Sequence, residues 1–341
     1  MTIWWKRFNL KYPMIQAPMA GSTPPAFVAA SCEAGILGSL GAGYMTAGKT
    51  RDAVQEIKKR TDRPFSVNLF VPENPVRDGA EIGAAHEALA PYRRELGLAD
   101  ELPAFSASEF DGQVRVLIEE KVPVVSFTFG LPGEGTVQGL KSAGAFLIGT
   151  ATTPEEADAA ARAGMDAVVL QGKEAGGHRG SFLGEDRFMK LADLLAETGV
   201  SIPVIAAGGI HDAETAGGAL AAGASAVQVG TALLVSEESG AHPLHKQAIL
   251  DSGEGDTVLT RAFSGKNARG VSNRFIREMA VAPIAPYPVQ NDLTKPIRAE
   301  AGKRGDSGLL SLWAGENGWR TEGGPLAEIV GRLAAGLGSG D

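Results

Sequence analysis

Short apolar runs of strand length alternate with longer helical patterns along most of the chain. Eight runs have strand length: Met14–Ala17, Ile36–Ser39, Phe65–Leu69, Val124–Phe127, Phe146–Gly149, Ala167–Leu170, Val204–Ala206 and Ala226–Val229. Several are continuously apolar, as strands buried on both faces should be. Helical patterns lie between them at Pro24–Ala34, Thr50–Arg60, Thr153–Ala163, Arg187–Thr198 and Asp212–Ala222. Thr153-Pro154-Glu155-Glu156 is a helix start, with an N-cap, a proline in the first turn and two acids beside the positive end of the helix dipole. Gly144, Gly164 and Gly223 each end a helix shortly before a strand. Repeated β-α alternation predicts a parallel sheet, and eight units predict a closed (β/α)8 TIM barrel rather than an open sheet.

The alternation breaks twice. Residues 72–123 are too many for one crossover and carry helical stretches at Glu81–Leu96 and Ser106–Glu120. After Val235 the strand pattern stops, and a helical tail containing proline and arginine follows, with Pro325–Leu337 as a last amphipathic helix. The expected organisation is a barrel from 1–71 and 124–236. A smaller, mainly helical lobe from 72–123 and 237–310 would cover its C-terminal mouth, and 311–341 would return to the barrel.

Length and composition agree with this picture. The chain has 341 residues, against roughly 250 for a bare barrel. Hydrophobic residues at 44% and charged residues at 21% suit a large core. A net charge of -8 without a basic cluster argues against nucleic-acid binding. The single Cys32 excludes an intrachain disulfide and a thiolate cluster, and the five histidines form no zinc-binding spacing. Thr215–Ser236 carries no charge but divides into helix end, strand and helix start, so a soluble reading is preferred to a membrane span. The N-terminus lacks the apolar core of a signal peptide, which makes a cytoplasmic location the default expectation.

In such barrels the chemistry sits where the strands end. Ala206-Ala207-Gly208-Gly209-Ile210 and Gln228-Val229-Gly230-Thr231 follow the last two strands. Small residues let backbone N–H groups approach an anion, so the pair predicts a phosphate site. The sixth strand leads into Gln171-Gly172-Lys173-Glu174-Ala175-Gly176-Gly177-His178-Arg179-Gly180. An imidazole there can move a proton or stabilise an oxyanion near neutral pH; equally, it can serve only to bond neighbouring backbone. Asn68 offers a carboxamide suited to a polar ring edge, or else a turn cap. Ala17-Pro18-Met19 offers backbone groups and a soft side chain, with packing an equal role for Met19. Arg261–Arg274, dense in cationic and small polar residues, offers help in holding an anion but reads more simply as a solvated surface turn; Glu119-Glu120 and Glu237-Glu238 read as solvated helix faces, and Trp313 and Trp319 as core or lobe-interface residues.

With these segments in hand, the sequence resembles the nitronate monooxygenases, formerly called 2-nitropropane dioxygenases, of the first class. The likeness runs over nearly the whole chain. It rests on Pro13–Gly21, Asn68-Leu69-Phe70, Gln171–Gly180, Ala206–Ile210 and Gln228–Thr231, and continues through Ser264–Gly270 and Ser311–Gly315. The Glu174–His178 stretch is shared with related flavin barrels, whereas the last two segments look specific to the class. The resemblance implies FMN held without a covalent bond by Ala17, Met19, Asn68, Gln171, Gly176, Gly177, Gly208, Gly209, Gln228, Val229, Gly230 and Thr231. Asn68 and Gln171 would face the ring or ribityl chain, and Gly209, Gly230 and Thr231 the phosphate. His178 would be the catalytic residue beside the substrate, with Tyr287 of Pro286-Tyr287-Pro288 at the entrance.

Members of that family oxidise alkyl nitronates, notably propionate 3-nitronate, with O2 through a flavin semiquinone, giving a carbonyl compound and nitrite or nitrate. Neutral nitroalkanes are a further substrate class. No metal and no reduced nicotinamide are implied. For a nitroalkane His178 would take the α-proton; for a nitronate, its protonated form would stabilise the anion. The expected partners are the nitronate and O2, with no nucleic acid or membrane, in a monomer or homodimer. A flavin barrel that oxidises NAD(P)H, such as an enoyl-thioester or quinone reductase, shares the glycine motifs and is the nearest rival. A barrel that binds a phosphorylated ligand without turnover is the rival from another class.

Overall fold

The computed structural model of the chain describes residues 4–73 and 78–337. Residues 74–77, inside the expected lobe segment, and the ends 1–3 and 338–341 lie outside the described residues. Eight parallel strands form one sheet: β1 (Met14–Gln16), β2 (Ser39–Gly41), β3 (Ser66–Phe70), β4 (Val124–Thr128), β5 (Phe146–Ala151), β6 (Ala167–Gln171), β8 (Val204–Ala207) and β9 (Ala226–Val229), the short β7 (Gly177–His178) lying outside it. The order β1-β9-β8-β6-β5-β4-β3-β2 is that of a rolled sheet. A parallel bridge from Ile15 to Leu37 closes the ring, with Leu37 N donating to Met14 O at 2.9 Å and Gln16 N to Leu37 O at 2.9 Å. The protein is therefore a (β/α)8 barrel. Strand β2 begins three residues later than the apolar run predicts. Leu37 is engaged by β1, while the ladder with β3 starts at Ser39, opposite Ser66.

Alternation along each strand divides the side chains into two sets. Leu147, Val168, Leu170, Val125 and Phe127 face outward and pack under the helices. Ile15, Leu37, Ile148, Val169 and Ile205 face inward. The inner set joins Trp4, Trp5, Phe8 and Leu10, so the 3-10 turn Trp4–Phe8 plugs the barrel from its N-terminal end. Trp4 stacks on Phe146 at 5.4 Å between ring centroids and donates from Nε1 to Ser225 Oγ at 2.9 Å. That end is sealed by aromatic rings; the opposite end is free to hold a ligand.

Helix boundaries follow their caps. Thr46 caps Ala47–Arg60, Thr153 caps Pro154–Arg162, and Asp212 with Thr215 forms a capping box for Ala213–Ala221. The uncharged stretch Thr215–Ser236 is that helix, β9 and the short helix Thr231–Leu234. None of the described helices is long and apolar enough to cross a membrane.

Outside the barrel, a separate apolar cluster gathers Ile82, Leu89, Tyr92 and Leu96 with Phe263, Phe275, Leu293, Ile297, Leu309 and Leu312. Helix Phe110–Glu119 does not join it. Phe110, Val114 and Leu117 pack in the barrel's outer layer, so this helix is the crossover between β3 and β4 rather than a piece of the lobe. The strand pattern also does not stop at Val235. β10 (Thr257–Thr260) and β11 (Ala268–Val271) pair antiparallel, and β11 pairs with β7. Residues 261–274 are accordingly not a solvated turn. Ala262, Phe263, Ser264, Ala268 and Arg269 are buried in them.

Candidate active site

The inward positions change character towards the C-terminal ends of the strands. Below lie Ile15, Ile148, Val169 and Ile205; above them come Asn68, Ser126, Thr128, Thr150, Gln171 and Gln228, all lining one cavity. Asn68 Nδ2 donates to Ser126 Oγ at 3.0 Å and Thr128 Oγ1 at 3.1 Å. Polar side chains facing a cavity inside a barrel carry a desolvation cost unless something polar occupies it.

The same cavity brings together Ala17, Met19, Asn68, Gln171, Gly176, Gly177, His178, Gly208, Gly209, Gln228, Gly230 and Thr231. Two other residues singled out in the sequence do not line this cavity. Val229 turns its side chain outward into the cluster with Met14 and Phe27, because period-two alternation gives the inward place to Gln228. Tyr287 lines the adjoining outer vestibule, which His178 also lines.

Gly208 and Gly209 have φ of +116° and +72°, values that L side chains rarely adopt. Their turn is held by Asn317 Nδ2, which donates to Gly209 O at 3.2 Å, and by His211 Nδ1, 2.9 Å from the same oxygen. Gly230 precedes Thr231–Leu234, and Thr231 Oγ1 accepts from Gly315 N at 2.9 Å. Asn317, His211 and Gly315 also line the cavity. Sequence reasoning did not place them there. Gly315 closes the Ser311–Gly315 motif, a signal that the motif reaches the site.

The Gln171–Gly180 segment is rigidly held. The Gln171 amide donates from Nε2 to His178 O at 3.0 Å and accepts at Oε1 from Gly180 N at 2.8 Å. Arg179, fully buried, pairs with Asp186 at 2.9 Å and donates to the carbonyls of Gln171 and Gly172. Arg269 Nε donates to Lys173 O at 3.0 Å, and Glu174 accepts from Leu191 N at 3.0 Å, at the start of helix Leu191–Glu197. That helix starts four residues later than the sequence pattern predicts. A Cβ on Gly176 would meet Gly315 N at 2.5 Å, so two backbones cross at that point.

His178 sits in β7, opposite Ala268. Its Nε2 is 2.8 Å from Ser264 Oγ, which lies 3.2 Å from Lys266 O. Burial, then the cations Arg298 and Lys266, push the imidazole down to about 3, so it is neutral near pH 7. Phe129, Tyr287 and Trp313 surround it at 5.8, 6.2 and 5.3 Å between centroids. Trp313 is therefore a wall of the cavity as well as a neighbour of Phe263. His245 Nε2, 2.8 Å from Trp313 O, fixes that segment from behind. Trp319 instead lies under Arg320, 4.6 Å from its ring centroid. Tyr44 and Tyr287 both line the mouth, and burial pushes the Tyr287 phenol up. Phe129 adopts φ +70°, a conformation that costs a bulky residue about 1–3 kcal/mol and recurs at functional sites.

The family model "Nitronate monooxygenase" matches residues 2–336. The chain belongs to the nitronate monooxygenase family. A probable nitronate monooxygenase of Staphylococcus aureus (strain Newman) is 44% identical over 317 residues, covering 91% of this chain and 89% of that protein. The solved nitroalkane oxidase of Streptomyces ansochromogenes is 40% identical, with a TM-score of 0.92 over 98% of each chain. FabK from Thermotoga maritima is 32% identical, with a TM-score of 0.76 over 97% of this chain and 94% of its own. As a member of this family the protein is an oxidoreductase acting on nitronates or nitroalkanes.

Proposed function

We propose that the protein oxidises alkyl nitronates, and neutral nitroalkanes as a second class, with O2 and bound FMN, giving a carbonyl compound and nitrite or nitrate. The observation that carries this reading is the polar ring at the barrel mouth, which opens onto one neutral imidazole walled by aromatic rings. The residues suit FMN. Asn68, Gln171 and Gln228 offer carboxamides for a ring edge rich in donors and acceptors. The Gly208–Gly209 turn and the N–H groups at Gly230–Thr231 offer a cradle for a phosphate. FMN, when bound there, would supply the electron acceptor that the side chains lack.

Everything else falls to the chain. With its lone pair available, His178 can take the α-proton of a neutral nitroalkane. A nitronate needs no base, and a neutral imidazole offers it hydrogen bonding but no positive charge. Phe129, Tyr287 and Trp313 keep bulk water from that corner.

The likeness to FabK supports a second reading, in which reduced nicotinamide is the electron source. Oxygen uptake by the yellow holoenzyme distinguishes the two. Uptake driven by propionate 3-nitronate, with slow NADH oxidation, is the expected outcome. Rapid NADH oxidation without nitronate-dependent uptake overturns it, and a colourless protein that takes up no FMN overturns both.

A further inference from the structure

Ser264 stands beside the imidazole of His178 and is buried. Its turn is bolted in place from the lobe side. Gln290 Nε2 donates to Ala262 O at 2.8 Å and Thr294 Oγ1 donates to Phe263 O, both from helix Val289–Arg304. Arg261 Nε donates to Gly265 O at 2.9 Å across the turn. Gly265 adopts φ +85°, and a Cβ there would meet Tyr287 N at 2.7 Å, so the turn is pressed against neighbouring backbone. The imidazole is held as firmly. Gln171 bonds the His178 carbonyl, and β7 places His178 opposite Ala268. Within this frame Ser264 Oγ lies 2.8 Å from His178 Nε2, donates to Lys266 O at 3.2 Å and accepts from Lys266 N at 3.3 Å.

A hydroxyl has one proton to give and two lone pairs to offer. With its proton on Lys266 O, Ser264 presents a lone pair to His178, and Nε2 carries the ring hydrogen. The bond made by one ring nitrogen settles which nitrogen keeps its lone pair. Resting on the nitroalkane part of the reading above, we infer that Ser264 is a positioning residue for the base: it accepts from Nε2–H of His178, keeps the lone pair on Nδ1, and remains an acceptor once Nδ1 has taken the α-proton. In that step the bond from the α-carbon to hydrogen breaks, the proton goes to Nδ1, and the electron pair stays on the substrate as the nitronate. The imidazolium so formed lies near the cations Arg298 and Lys266, which oppose a further positive charge. A fixed acceptor on Nε2 offsets part of that cost. The Ser264–Gly270 segment thus reaches the chemistry through one hydroxyl.

The test compares nitroethane with ethyl nitronate, its preformed anion, in the wild-type and Ser264→Ala holoenzymes. The ratio of kcat/KM for nitroethane over ethyl nitronate should fall about tenfold or more in Ser264→Ala, because only the neutral substrate needs the base. Nitrogen NMR of holoenzyme labelled at histidine reads the tautomer directly, the His178 signals being those missing from His178→Asn. Near neutral pH the wild type should show the hydrogen on Nε2, and Ser264→Ala a mixture of both tautomers. An equal loss for the two substrates, no change in the ratio, or a hydrogen on Nδ1 in the wild type overturns the inference. If the wild type consumes no O2 with either substrate, the nitronate reading fails instead, and the NMR spectra alone decide the role of Ser264.

Discussion

His178 shows how far one side chain's surroundings define its chemistry. Burial and two cations hold it neutral, and Ser264 bonds Nε2. Replacing it by Asn keeps a polar group in the wall and removes the base. His178→Asn should keep bound FMN, seen by its absorbance, and lose about 10²–10⁴-fold in turnover of a neutral nitroalkane. Turnover of a preformed nitronate should fall much less. Equal rates in variant and wild type would remove His178 from proton transfer. The pH dependence has a definite sign. The folded imidazole titrates below its unfolded value of 6.5, so the unfolded chain binds the proton first. The stability tied to His178 is complete above pH 6.5 and is lost as pH falls from there towards about 3. Melting temperatures measured from pH 7 down to 4 should fall more steeply in the wild type than in His178→Asn. Parallel curves would mean that His178 is not held neutral.

Among the elements, the crossing of two backbones at Gly176 and Gly315 joins the sixth-strand loop to the Ser311–Gly315 motif. A methyl at Gly176 meets Gly315 N at 2.5 Å and Ala314 C at 2.6 Å, both backbone atoms that cannot swing away. Gly176→Ala should cost about 1–3 kcal/mol in chemical denaturation. It should also loosen flavin, because Gly315 N bonds Thr231 Oγ1 in the proposed phosphate cradle. Unchanged stability and retention would show that the crossing relaxes freely. The barrel was legible because its strands are continuous apolar runs and its helices carry caps that act locally. The lobe's β10 and β11 were not. Thr257–Thr260 and Ala268–Val271 have the short, mixed composition of a turn, and become strands only by pairing with each other and with β7. Val229 shows where a motif and a side chain part company. Its motif lies at the site, but period-two geometry turns that one side chain outward. Asn317 and His211 were invisible because their roles arise from contacts with Gly209 O, which no spacing rule announces.

On the scale of the whole molecule, the barrel has two unlike ends. The N-terminal end is closed by Trp4, Trp5, Phe8 and Leu10, which pack on Phe146, Val124 and Ala226. The C-terminal end carries the polar ring and the candidate site. Between them lies the apolar layer of Ile15, Ile148, Val169 and Ile205. This layer separates stability from chemistry. Trp4→Ala removes a ring 6% exposed, its stacking on Phe146 and its bond to Ser225. The cavity left behind should cost about 3–5 kcal/mol, read from urea midpoints. Below the melting range, KM for nitronate and the affinity for FMN should stay within about twofold of wild type, since the polar ring touches none of the removed atoms and mutations without shared partners combine additively. A large change in KM with a small change in stability would mean that the plug reaches the site through the apolar layer, and the two ends could no longer be treated as independent.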